Sequence, residues 1–190
     1  AVLARPLYLA LVRPLGPARS MAAATAVSQL FSTLCWTALL LLSVLAEGPH
    51  WVARRLDRHP DARWALAPAP GRWSALEVLC HLRDTDRDVL VPRLERMLAT
   101  ERSAIEDVDM RGWDAQRAYR SESPRAAYRA WSASRRSLLA RLEPLAPVDW
   151  RRVGYHSVRG PFPLGDMVRQ LVEHDLSHRR QIAAALGEFA

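Results

Sequence analysis

The sequence predicts an all-α fold, a bundle of four main helices behind an N-terminal extension, and three features point there. Apolar residues recur at spacings of three and four. Helix-start signals stand at Ser74 and Ser123. No run of alternating β-branched residues marks a strand. With 190 residues, 49% of them hydrophobic, the chain is long enough for one globular domain with a sizeable core. Nothing repeats at a fixed period, which removes solenoids and fibrous classes.

The first helix is the least settled. No charged side chain occurs from Ser20 to Ala46, and the run Leu39 to Leu42 is strongly apolar. A buried helix is expected, with Ser28, Gln29, Ser32, Thr33, Thr37 and Ser43 on its outer face. Membrane contact through residues 20–46 is an alternative on length. An export signal is another, since Arg13 and Arg19 precede the run and Val44-Leu45-Ala46 has the small-residue look of a cleavage site. Met21 stands just before the helical stretch, so residues 1–20 read either as an over-extended reading frame or as a tail. The helix should continue through Trp51, Val52 and Leu56, break at Gly48-Pro49, and stop at Ala67-Pro68-Ala69-Pro70-Gly71.

The second helix opens on Ser74-Ala75-Leu76-Glu77, a capping box in which serine and glutamate satisfy each other's backbone donors. It should run to about Leu98 with a kink at Pro92. Residues 100–122 read as a long connection with a short helix near Trp113. Ser123-Pro124 supplies a cap followed by proline at the first helical position, and Pro144 and Pro147 close that third helix. A loop carrying Tyr155, His156, Gly160 and Pro161 leads to the last helix, about Leu164 to Leu186, with Gly187 as its stop.

Met167, Leu171, His174, His178, Ile182 and Ala185 share one face of that last helix. Two imidazoles one turn apart on an apolar face need hydrogen-bonding partners or a common cation, because an unsatisfied buried polar group costs about 1–3 kcal/mol. The best third ligand is His81, two turns into the second helix. Facing helices commonly build such sites, and three protein ligands leave coordination positions open. Core histidines satisfied by hydrogen bonds are the competing reading of the same pattern.

The stretch Gly71-Arg72-Trp73-Ser74-Ala75-Leu76-Glu77-Val78-Leu79-Cys80-His81-Leu82-Arg83-Asp84 resembles the opening of the second helix in DinB-like proteins. His174-Asp175-Leu176-Ser177-His178-Arg179-Arg180-Gln181 is similar to that family's closing motif, a His-x-x-x-His followed by x-x-Gln. The resemblance spans residues 36–190, with 1–35 as an N-terminal extension. It implies an antiparallel four-helix bundle in which His81, His174 and His178 bind one divalent cation, zinc, nickel or manganese. It also implies one of several activities. Some members are low-molecular-weight-thiol S-transferases or mycothiol-dependent isomerases, and others have been called hydrolases. The hydrophobicity of the first helix departs from the usual pattern of the family.

The formal charge of +7 rests entirely on arginine, with no lysine or asparagine in the chain, and reads as GC-rich coding. No basic stripe with interleaved aromatics accompanies it, so no nucleic acid is expected as a partner. Two cysteines, Cys35 and Cys80, form no C-x-x-C pair and fit a reduced, cytoplasmic protein. Cys80 points about 100° away from His81 and reads as a buried thiol. Glu77 is explained by its cap, and Asp84 and Asp88 read as solvated acids opposite arginines. His156, flanked by Arg152 and Arg159, is placed to meet an anionic substrate. No catalytic residue is assigned.

Three functions compete. A thiol S-transferase would use mycothiol or a similar low-molecular-weight thiol as cosubstrate against an electrophilic small molecule, with arginines holding anionic groups. A hydrolase would use water activated by the same ion but lacks an obvious general base. A non-catalytic module would use the ion only to tie helices together. A homodimer is compatible with each.

Overall fold

The computed structural model describes residues 17–188, with side chains from residue 36 onward. Contacts divide the chain into two units, with the boundary between Leu40 and Leu41. The first helix, α1, spans Pro17–Arg58. On the early side, Trp36, Leu39 and Leu40 are exposed. The expected outer face of Ser28 to Thr33 lies outside the described side chains, as does most of the segment weighed as anchor or signal. Among the described residues no helix is long and apolar enough to cross a membrane.

From Leu41 onward the molecule is mostly helical. α1 does not break at Gly48-Pro49 as its sequence suggests. Gly48 is buried, and a Cβ there would meet Arg179 Nη2 at 3.1 Å and the Trp131 ring at 3.2 Å. Close packing against those side chains therefore carries the helix through the proline, overriding a local preference worth about 3 kcal/mol. The stop comes at Arg58, ahead of Pro60, and a short helix α2, Asp61–Ala65, buries Trp64 before the proline-rich loop.

Helix α3, Ala75–Asp84, starts at the expected cap. The Glu77 N–H donates to Ser74 Oγ at 3.2 Å, and the Ser74 N–H donates to Glu77 Oε2 at 2.8 Å. α3 is followed without a loop by a π-helical turn, Thr85–Leu90, and then by α4, Val91–Ala99. The kink expected at Pro92 takes this form for a simple reason. Proline lacks an N–H and its ring collides with the carbonyl four residues back, so the preceding turn widens, and the Val91 N–H donates to the Asp86 carbonyl, five residues away.

The connection after α4 holds more than the sequence announces. Strand β1, Ala104–Ile105, precedes a short helix α5, Trp113–Gln116, at the expected place, and a single 3-10 turn, Tyr119–Ser121. Helix α6, Pro124–Leu142, begins on the Ser123 cap. The loop expected around Tyr155 is instead a hairpin, β2 Val153–His156 with β3 Gly160–Pro163. β1 pairs with β2 in parallel and β3 pairs antiparallel, with His156 opposite both Ile105 and Gly160. The fold is thus mostly helical rather than all-α. Strands of two to four residues containing Gly154, Gly160, Pro161 and Pro163 carry no alternating pattern to read.

Helix α7, Leu164–Leu186, ends on Gly187 at φ +80°. α3 packs against both α6 and α7. Between them Leu76, Leu79, Leu82, Trp131, Ile182 and Leu186 form the core.

Candidate metal centre

The predicted face of α7 is real. Met167, Leu171, Ile182 and Ala185 are buried, and His174 and His178 interrupt the stripe half-buried. Opposite them α3 presents His81, 8% exposed. His174 Nε2 lies 3.2 Å from His81 Nε2 and 3.1 Å from His178 Nε2. Among the described residues these three offer nitrogens all within 4.8 Å of one another. Nitrogens bonded to one ion at about 2.0–2.1 Å stand about 2.9 Å apart at a right angle and about 3.4 Å apart at the tetrahedral angle, so the observed spacing fits a shared cation.

Hydrogen bonding orients the rings. His178 Nδ1 lies 2.9 Å from Gln181 Oε1. A carboxamide oxygen only accepts, so Nδ1 carries the hydrogen and the Nε2 lone pair faces the other two rings. His174 Nδ1 is buried without a hydrogen-bond partner, 3.8 Å from Asp175 Oδ1. The Trp73 ring lies against His81 with centroids 5.3 Å apart, which makes Trp73 a wall of the site, whereas Trp131 belongs to the core. Burial, helped by His178 and His174, pushes the His81 pKa down to about 3. Burial and His174 also lower His178. Neutral rings with lone pairs turned inward are the state in which imidazole ligates.

Beneath the histidines lies a buried ionic network that the sequence did not announce. Arg135, fully buried on α6, donates from Nε and Nη2 to both oxygens of Asp86, at 2.8 and 3.0 Å. It also donates to both oxygens of Asp175, from Nη1 and, at 3.2 Å, from Nη2. The network joins the π turn, α6 and α7, and it places carboxylate charge beside His174. Burial raises the Asp86 pKa against the pull of Arg135.

Cys80 is buried, its pKa pushed up to about 12 by burial, and it stays outside the histidine group. Glu77 accepts from Ser74 and, at 2.8 Å, from Arg120 Nε, which occupies both its oxygens. Asp84 is not solvated but fully buried. Arg83, Arg117 and Tyr119 reach it at 2.7, 2.7 and 2.9 Å, and these partners outweigh the effect of burial and keep its pKa below the usual carboxylate range. Asp88 is half-exposed and paired with Arg87. His59 pairs with Glu188 at 2.9 Å, away from the triad. His156 is buried on β2 and shares with His174 a cleft of about 370 Å³, whose wall also includes Arg93, Arg159, Met110 and Leu171.

A solved structure of similar fold is YfiT from Bacillus subtilis, described as a probable metal-dependent hydrolase with an unusual four-helix bundle topology. The two superpose with a TM-score of 0.69 at 19% identity, over 80% of this chain and 89% of that one. No curated protein matches the sequence. The family model of the DinB superfamily matches residues 45–182, which takes in α3, the whole hairpin and both histidines of α7. The chain belongs to the DinB superfamily.

Proposed function

We propose that this protein is a divalent-metal-dependent enzyme that transfers a low-molecular-weight thiol, such as mycothiol, onto an electrophilic small molecule. The observation behind this reading is the convergence of His81, His174 and His178, of which His174 also lines a cleft large enough for a substrate. The three imidazoles would hold the ion through Nε2, with Gln181 fixing the ring of His178 and Asp175 facing the far nitrogen of His174. A zinc, nickel or manganese ion there supplies Lewis acidity, which makes a thiol or water nucleophilic near neutral pH. Trp73 lies against His81 on one side, and Leu171, Met167 and Met110 give the cleft an apolar wall on which the body of a substrate would lie.

The hydrolase reading rests on the description of YfiT as a probable metal-dependent hydrolase. It would use the same ligands and no thiol. We take the domain to span residues 36–190 as an antiparallel bundle. We take the protein to act in the cytoplasm, alone or as a homodimer, without nucleic acid.

Two measurements test this. Elemental analysis of untagged protein should give about one metal per chain, lost in the His81→Ala and His178→Ala variants. Metal-loaded protein should accelerate conjugation of mycothiol to monochlorobimane well above the His81→Ala background. Cleavage of p-nitrophenyl acetate without added thiol, absent any conjugation, would favour the hydrolase. Failure of both reactions with metal bound would leave the ion a structural tie.

A further inference from the structure

The cleft that His174 shares with the hairpin holds donors that face one another rather than acceptors. The backbone N–H of Val158 can only donate, and it lies 3.2 Å from His156 Nδ1, so Nδ1 accepts and the ring hydrogen sits on Nε2. That N–H faces Arg93 Nη2, a second obligate donor, 3.4 Å away. Arg93 Nη2 donates one hydrogen to the Glu106 carbonyl at 2.9 Å, but Arg93 Nε is buried without any hydrogen-bond partner. The nearest carboxylate, Asp107 Oδ1, stands 3.6 Å from His156 Nε2, beyond hydrogen-bond length, on a side chain 60% exposed. Arg159 reaches the same cleft from the hairpin turn.

Two donors held face to face and a third left unpaired cost stability unless an acceptor is placed among them. Burial lowers the Arg93 pKa; Asp107 opposes this, while Arg159 and Arg96 add to it. A bound anion would relieve both strains. Asp107 and Glu173 also line the cleft, so a single negative charge suits it better than a polyanion. Beyond the donors the wall turns apolar at Val89, Met110, Met167 and Leu171.

We propose that this cleft is a monocarboxylate subsite, in which Arg93, His156 and Arg159 hold the carboxylate of a small substrate while its apolar body lies along Val89, Met110 and Leu171 toward His174. This names the substrate class for the function proposed above and rests on that reading only for where the reaction occurs. Arg93 and Arg159 belong to binding; neither reaches the triad through any hydrogen bond.

Hexanoate, its neutral isostere hexanamide, and inorganic phosphate serve as probes, titrated by calorimetry into the full chain, both metal-free and zinc-loaded. Hexanoate should bind at least about tenfold more tightly than hexanamide or phosphate, and Arg93→Gln and Arg159→Gln should each weaken hexanoate about tenfold while leaving hexanamide unchanged. Equal affinity for hexanoate and hexanamide, tighter phosphate binding, no hexanoate binding, or indifference to both substitutions would overturn the subsite. Arg159 is exposed, so its variant keeps the test open if the Arg93 variant fails to fold. Zinc content read on the same samples separates the two readings. A chain that refuses zinc yet binds hexanoate through its arginines defeats the metal centre alone, and a zinc-bound chain blind to the carboxylate defeats the subsite alone.

Discussion

Gln181 determines which nitrogen of His178 is free, because its carboxamide oxygen fixes the hydrogen on Nδ1. Replacing Gln181 by Ala removes that constraint without touching a ligand, and partners of this kind are worth about 10–100-fold in metal affinity. Competition titration against a chelator should therefore show zinc binding about tenfold weaker or more in Gln181→Ala, with the helix content unchanged by circular dichroism. At this scale the sequence was readable where chemistry is rare. His174, His178 and Gln181 stand at fixed helical spacing, and His81 sits on a helix with a marked start. Arg135, Asp86 and Asp175 were not readable, since arginine and aspartate are common throughout this chain and 40 or more residues separate Arg135 from either partner. Arg93 escaped notice for the same reason, as its setting is made by a hairpin more than 50 residues away.

Among elements, the caps carried the most information. Ser74 with Glu77, Ser123 with Pro124, and Gly187 bound three helices where their local chemistry says they should. The hairpin and β1 escaped because their pairing is a tertiary matter, and Gly154 shows how tight it is. A Cβ on Gly154 would fall 2.3 Å from Ile105 Cδ1 and 3.3 Å from Met97 Cγ. Gly154→Ala should accordingly cost about 1–3 kcal/mol in urea unfolding, as overpacked cores do. It should also loosen His156 two residues on. Three helical segments meet at Arg135, and a buried guanidinium with two carboxylates cannot be removed alone. Arg135→Met leaves Asp86 and Asp175 facing each other, and equilibrium unfolding should report a loss of about 3–5 kcal/mol.

For the whole molecule, acid is the revealing condition. The folded state holds His81 neutral down to about pH 3, whereas the unfolded chain takes up a proton near pH 6.5. Between those values the unfolded state binds more protons, so the stabilisation is full above pH 6.5 and is lost as pH falls. Metal-free protein should lose up to about 1.4 kcal/mol per pH unit from this group, starting well before the carboxylates titrate. Unfolding midpoints from pH 7 to pH 5 should show the slope, and His81→Gln should flatten it. Zinc should raise the midpoint at pH 7, as any ligand of the folded state does. The π turn also sets the phase between His81 and Arg93. Twelve residues at about 100° each would leave Arg93 about 120° around the axis from His81, but the extra residue in the wide turn closes that offset to about 20°. Alignment of the proposed metal site with the proposed carboxylate subsite is therefore a matter of counting. Pro92→Ala, which removes the clash that widens the turn without changing the number of residues, would let the stretch 85–90 revert to ordinary helix and swing Arg93 out of phase, leaving a chain that still takes up metal but no longer tells an acid from its amide.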